Sequence, residues 1–238
     1  MILPGQKYKS ILRSRRWKKW YDDCDKSVDS TRNKYGRYDA LYAVLADYDN
    51  MQHYPYSFDE KRVRGWIERN MERYRIFGFG LWAVCLKESG EMIGDCGLTM
   101  QNIGGMIKPE IGYHIRGDCQ RKGYAKEAAS AVRDWTFQNT PFQEIYSYMK
   151  YTNEPSAKTA VSWGCHLVDE FSDEVNELIY HKFTRSAPSS RVGMYLRLRR
   201  NIVFATAKHR WRSHTVYGFY RNIVLCPYSD NDVDLTVK

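Results

Sequence analysis

The sequence predicts a mixed α/β fold in which a mostly antiparallel central sheet is flanked by helices. Three observations carry that prediction. From Glu110 to Ile115 the side chains alternate, with Ile111, Tyr113 and Ile115 on one face and Glu110, Gly112 and His114 on the other, the period of a strand. Beyond it, Ala125, Ala128, Ala129, Val132, Trp135 and Thr136 recur at helical spacing, with Lys126, Glu127, Arg133 and Asp134 outside the stripe. Along the middle of the chain, strand-like and helix-like stretches follow in the order strand, strand, strand, helix, strand, helix, strand, which builds a mixed sheet.

Each element has its own warrant. Asp39–Asp47 reads as a helix with Leu41, Val44 and Leu45 on one face, and Asp59–Arg75 as a second carrying Val63, Trp66, Ile67 and Met71. Ser57 or Asp59 can cap its start. Between them Met51–Tyr56 is rich in groups able to hydrogen-bond a substrate, and Tyr54 and Tyr56 either line a pocket or pack. Gly78–Lys87 and Met92–Met100 form two strands joined at a Gly-containing turn, Glu88–Glu91. Gly94 and Gly97 inside the second strand point to a bulge or a close backbone approach. Asn102–Met106 turns the chain into the Glu110 strand. Phe142–Lys150 reads as the next strand, Tyr151–Ser156 opens a helix that ends near Trp163-Gly164, and Cys165–Phe171 is a further apolar run.

At 238 residues and 43% hydrophobic, 15% aromatic, the chain is long and apolar enough for a substantial core. No apolar run nears the roughly 18 residues that span a bilayer, and residues 1–9 lack an apolar segment of secretory length, so no membrane contact and a cytoplasmic site are expected. The six cysteines show neither Cys-x-x-Cys pairs nor zinc spacing, so free thiols and no metal are expected. The net charge of +9 is unevenly placed. Residues 1–40 hold 11 Lys and Arg against 5 Asp and Glu, residues 41–178 hold 15 against 20, and residues 179–238 hold 11 against 3. Any nucleic-acid or ribosome contact therefore belongs to the flanks, as in the basic-aromatic Arg13–Trp20 run, and not to the acidic middle.

Gln120-Arg-Lys-Gly-Tyr-Ala125 stands at a helix start, where unpartnered backbone N–H groups and the helix dipole favour an anion such as a phosphate. Gly123 has no Cβ to hold a ligand oxygen away. Read with Glu110-Ile-Gly-Tyr113 before it, and with Asn153, Ser156 and Gly164 after it, this order of motifs resembles the GNAT superfamily of acetyl-CoA-dependent N-acetyltransferases, in its RimJ/RimL-like branch. The resemblance covers about Tyr38 to Leu178. It implies a GNAT-like acyl-CoA N-acyltransferase fold with atypical N- and C-terminal flanks, divided as 1–37, a basic segment; 38–184, the acetyltransferase domain; and 185–238, a basic extension.

The resemblance also implies the roles. Acetyl-CoA is the acetyl donor, its pyrophosphate on the backbone of Arg121–Ala125 with Gln120, Arg121, Lys122, Gly123, Tyr124 and Ala125 around it, its pantetheine arm along Tyr113 to Ile115, and Asn153 and Ser156 beside that arm. The acceptor is a primary amine, either a protein N-terminus or a small amine. Glu110 is the candidate general base and His114 the second candidate. The position where many relatives carry a tyrosine general acid is Ala160 here. Cys119 and Cys165 have no paired base, so direct attack on the thioester is expected. The family's opening Arg-Leu-x-Leu-Arg strand has only Lys9–Arg13 as a counterpart, and Glu177–Thr184 is the candidate closing strand. A reading from another class is a non-catalytic acyl-CoA-binding or RNA/ribosome-associated protein that keeps the fold.

Overall fold

The computed structural model describes residues 37–172, 200–207, 221–229 and 232. Helix α1 (Arg37–Leu45), the short α2 (Tyr48–Met51) and α3 (Glu60–Phe77) lead into strands β1 (Leu81–Leu86), β2 (Met92–Ile103) and β3 (Met106–Ile115). A 3-10 turn (Gly117–Cys119) precedes α4 (Tyr124–Asn139), followed by β4 (Glu144–Lys150), α5 (Glu154–Ser162), β5 (His166–Ser172), β6 (Arg200–Ala207) and β7 (Ile223–Cys226). The strands form one sheet in the order β5-β6-β4-β3-β2-β1-β7, antiparallel throughout except for the β3–β4 pair. This is the expected mixed, mostly antiparallel sheet.

The local rules hold where they were applied. Asp59 caps α3, its carboxylate accepting from the Arg62 N–H at 2.8 Å, which satisfies one of the orphan donors of the first turn. Gly78 ends the helix in the left-handed region at φ 78° and donates back to the Tyr74 carbonyl at 3.0 Å. The β2–β3 hairpin runs further than the sequence suggested. Gly104 and Gly105, at φ 59° and 81°, make a two-residue turn whose twist matches the strands, so pairing continues to Ile103 and Met106.

The sheet separates two cores because successive side chains of a strand point to opposite faces. On β1, Trp82 and Val84 join Ile93, Leu98, Ile111 and Ile115 under α4 and α5, against Ala128, Ala129, Val132 and Trp163. Ala83 and Cys85 face the other way, with Leu41, Val44 and Leu45 of α1 and Val63 and Ile67 of α3. Burying each such Leu or Ile side chain contributes about 1.5–3 kcal/mol. Asn70, fully buried, fastens α3 to the start of β1 by accepting from the Leu81 N–H at 3.0 Å.

Strands from late in the chain complete the sheet on both sides. β6 lies between β4 and β5, and β7 lies outside β1 with Ala83 opposite Cys226 and Leu86 opposite Ile223. Cys226 and Tyr228 are buried in the core beneath α1 and α3. Asn222 binds Glu127 of α4 through its backbone N–H at 2.8 Å and its amide at 3.0 Å. The Lys9–Arg13 and Arg13–Trp20 segments and the Glu177–Thr184 strand lie outside the described residues. Among the described residues no helix is long and apolar enough to cross a membrane.

Candidate active site

β3 is paired along its whole length to β2 on one side, from Met106–Ile103 to Ile115–Gly94. On its other side it meets β4 only at Glu110 and Tyr146. Past that point, among the described residues, the β4-facing edge of β3 is bridged by side chains and not by a ladder. The Ser147 hydroxyl donates to the Ile111 carbonyl at 3.2 Å, and the Gln120 amide to the Ile115 carbonyl at 3.0 Å. Beyond Glu110 and Tyr146 the ladder between the two strands therefore has a gap.

On the face toward α3 the alternation places Glu110, Gly112 and His114, as expected. Glu110 is only 8% exposed, and its Oε2 accepts from the Thr99 hydroxyl of the opposing β2 residue at 3.0 Å. Burial pushes its carboxyl up to about 7, against the Thr99 hydrogen bond and the charge of Arg73, which pull it down. A carboxyl in that range is a competent base near neutrality. Gly112 keeps the space above the strand open; a Cβ there would touch the Glu110 carboxylate at 3.6 Å.

His114 stands opposite Asp95 of β2, and its Nδ1 lies 2.7 Å from the Asp95 carboxylate. The other Asp95 oxygen accepts from the Trp66 indole of α3 at 2.8 Å. His114 Nε2 lies 2.8 Å from the Tyr54 hydroxyl. Tyr54, Tyr56, Phe58 and Trp66 form a continuous run of edge-on and tilted aromatic contacts that ends on the His114 ring. Tyr54 was one of two pocket-lining candidates. Asp95 was missed, although a charged residue amid the apolar Met92–Met100 run was a signal for a buried partner.

On the opposite face Tyr113 reaches across the gap to the start of α5, donating to the Ser156 carbonyl at 2.8 Å with the Ser156 hydroxyl 3.2 Å away. Asn153 is the N-cap of α5, its side chain accepting from the Ser156 N–H at 3.2 Å. The structure thus brings Tyr113, Asn153 and Ser156 together beside the gap, while Glu110 and His114 lie across the strand from them.

At the far end of β3, Gln120 to Ala125 forms the loop that opens α4. Arg121 takes φ 59° and Gly123 φ 90°, both in the left-handed region, ahead of a helix whose start has no side-chain cap. Gln120, Arg121, Lys122 and Gly123 are exposed, and a Cβ built on Gly123 meets nothing within 4 Å. Tyr124 and Ala125 begin the helix. The loop therefore fits a phosphate group: it offers unpartnered donors, two cations and room.

Comparison with known proteins bears on the family and the fold. The model of the acetyltransferase (GNAT) domain family matches residues 34–166. The uncharacterized Bacillus subtilis protein YkkB is 32% identical over 127 residues, 53% of this chain and 74% of that protein. The uncharacterized Bacillus subtilis N-acetyltransferase YjdG is 31% identical over 104 residues, 43% of this chain and 60% of that protein. A GNAT-family acetyltransferase structure from Bacillus anthracis superposes with a TM-score of 0.52 at 20% identity, covering 71% of this chain and 88% of its own.

Proposed function

Because the chain belongs to the GNAT acetyltransferase family, we propose that it moves the acetyl group of acetyl-CoA directly to a primary amine, either a protein N-terminus, as in the RimJ/RimL-like branch, or a small amine. The observation that carries this reading is the buried Glu110 carboxyl, raised to about 7, at the point where β3 and β4 part. Bound acetyl-CoA supplies an activated acyl group on a thiol that leaves readily.

The chain's own residues do the rest. The amides of Arg121 to Ala125 and the side chains of Arg121 and Lys122 hold the pyrophosphate, while Gln120 braces the loop against the Ile115 carbonyl, and the unladdered edge of β3 at Tyr113 and Ile115 holds the pantetheine arm, with Asn153 and Ser156 beside it. Glu110 takes a proton from the incoming ammonium, and the aromatic wall of Tyr54, Tyr56 and Phe58 gives the acceptor an apolar lining next to that carboxylate. Burial raises the thiol of Cys119, and it pushes Cys165 up to about 12, so neither is a nucleophile near neutrality and attack is direct. A cytoplasmic location suits a chain in which, among the described residues, Cys85, Cys96, Cys119, Cys165 and Cys226 are buried, free thiols.

Glu110→Gln tests the assignment. It should abolish acetyl transfer to amines while leaving acetyl-CoA binding intact. Full turnover in that variant contradicts the role of Glu110, and absence of any turnover in the unaltered protein favours the non-catalytic acyl-CoA-binding reading.

A further inference from the structure

An amine that arrives as ammonium loses two protons on becoming an amide, and Glu110 accounts for one. Resting on the acetyl-transfer reading above, we infer that Tyr54, His114 and Asp95 form a second proton path on the same sheet face, in which Tyr54 meets the acceptor nitrogen, His114 stores the proton and Asp95 positions the imidazole.

In the proposed path the Asp95 carboxylate, fully buried, accepts from His114 Nδ1 across 2.7 Å. His114 Nε2 in turn accepts from the Tyr54 hydroxyl across 2.8 Å. The Tyr54 oxygen keeps its lone pairs for a donor from outside. Trp66 holds the second Asp95 oxygen at 2.8 Å, and its indole packs edge-on to the His114 ring at 5.4 Å between centroids, so carboxylate and imidazole are both fixed. On the backbone, Gly94 permits the approach that sets Asp95 opposite His114; a Cβ on Gly94 would lie 1.9 Å from the His114 carbonyl oxygen.

The step balances as follows. As the C–N bond forms and the C–S bond breaks, the acceptor N–H proton passes to the Tyr54 oxygen while the Tyr54 proton passes to His114 Nε2. The imidazolium is stabilised by Asp95, and the proton returns through Tyr54 to the thiolate. The proton taken earlier by Glu110 goes to solvent. Ala160, at the position of the missing tyrosine acid, is a buried residue of α5 in the other core, and in the proposed path proton return runs through Tyr54 instead.

Thiol release from acetyl-CoA is measured with 2-phenylethylamine and with an alanine-initiated tripeptide as acceptors, alongside calorimetric binding of acetyl-CoA. Tyr54→Phe and His114→Gln should each lower kcat about 100-fold with the KM for acetyl-CoA unchanged, and the double variant should be no worse than either. In the unaltered protein the 15N imidazole spectrum should show His114 protonated on Nδ1, and Asp95→Asn should shift that tautomer. Tyr54→Phe with kcat within twofold of the unaltered protein, losses that multiply in the double variant, or an Nε2-protonated ring each overturn the path alone. Acetyl-CoA binding without turnover of either amine overturns it together with the transfer reading. If His114→Gln does not fold, Tyr54→Phe, which removes one oxygen, and the imidazole spectrum decide.

Discussion

Arg37 at the start of α1 donates from Nη1 to the Pro227 carbonyl at 2.8 Å, 190 residues later in the chain. The same guanidinium lies 3.5 Å from the Asp232 carboxylate, whose other contacts are the Ser229 N–H at 2.7 Å and the Ser229 hydroxyl at 3.0 Å. Together with the β7–β1 pairing, this ties the first described helix to the last described strand.

Arg37→Ala should therefore cost about 1–3 kcal/mol, since it removes a charged donor and leaves Asp232 and the Pro227 carbonyl half-buried without it. Deletion of residues 221–238 should cost more, because it uncovers β1 and the core beneath α1 and α3. Urea denaturation of the three proteins checks the order; equal midpoints would mean that β7 contributes nothing to the fold.

The Glu110 carboxyl makes stability depend on pH in a direction opposite to that of a paired carboxylate. Its folded pKa of about 7 lies above its ordinary 4.5, so the folded state binds the proton more tightly. Its contribution is fully present below about 4.5 and is lost as pH rises through about 7, by on the order of 3 kcal/mol. Relative to the unaltered protein, Glu110→Gln should gain thermal stability between pH 5 and pH 8. A constant difference in Tm over that range would show that Glu110 titrates as a solvated carboxyl. The same ionisation should make acetyl transfer rise through pH 7, a limb that Glu110→Gln lacks.

Two glycines on neighbouring strands should respond differently to a methyl group. On Gly97 a Cβ would sit 2.0 Å from the Gly80 carbonyl oxygen and 2.6 Å from the Leu81 Cα, both backbone atoms, so Gly97→Ala should cost at least about 1–3 kcal/mol or prevent folding. On Gly112 a Cβ would make ordinary contact with the Glu110 carboxylate, so Gly112→Ala should keep the fold and lower turnover. Denaturation midpoints and thiol-release rates separate the two effects; equal loss of stability would show that the floor of the site is as tightly packed as the strand crossing.

These residues also mark what the sequence could reveal. The faces of β3, the Asp59 cap, the Gly-containing hairpins and the Gln120–Ala125 loop depend on neighbours in the chain, and local rules reached them. The close approach at Gly94 and Gly97 was legible as a possibility, its partners were not. Asp95 opposite His114 is a matter of register between two strands, and Trp66 on Asp95 depends on how α3 crosses the sheet. No local pattern encodes either. The placing of β6 between β4 and β5, and of β7 beside β1, is likewise long-range pairing, which strands of eight and four residues in a basic stretch do not announce.

The central claim is that the loop before α4 holds the pyrophosphate of acetyl-CoA, and calorimetric titration with acetyl-CoA tests it most directly. Gly123→Glu puts bulk and negative charge at an exposed point where a Cβ meets nothing within 4 Å, at a backbone strain of roughly 1–3 kcal/mol that a thermal melt will register. Binding by the unaltered protein and none by a folded Gly123→Glu variant is the predicted result. Equal affinity in the two proteins, or no binding by the unaltered one, would contradict the account.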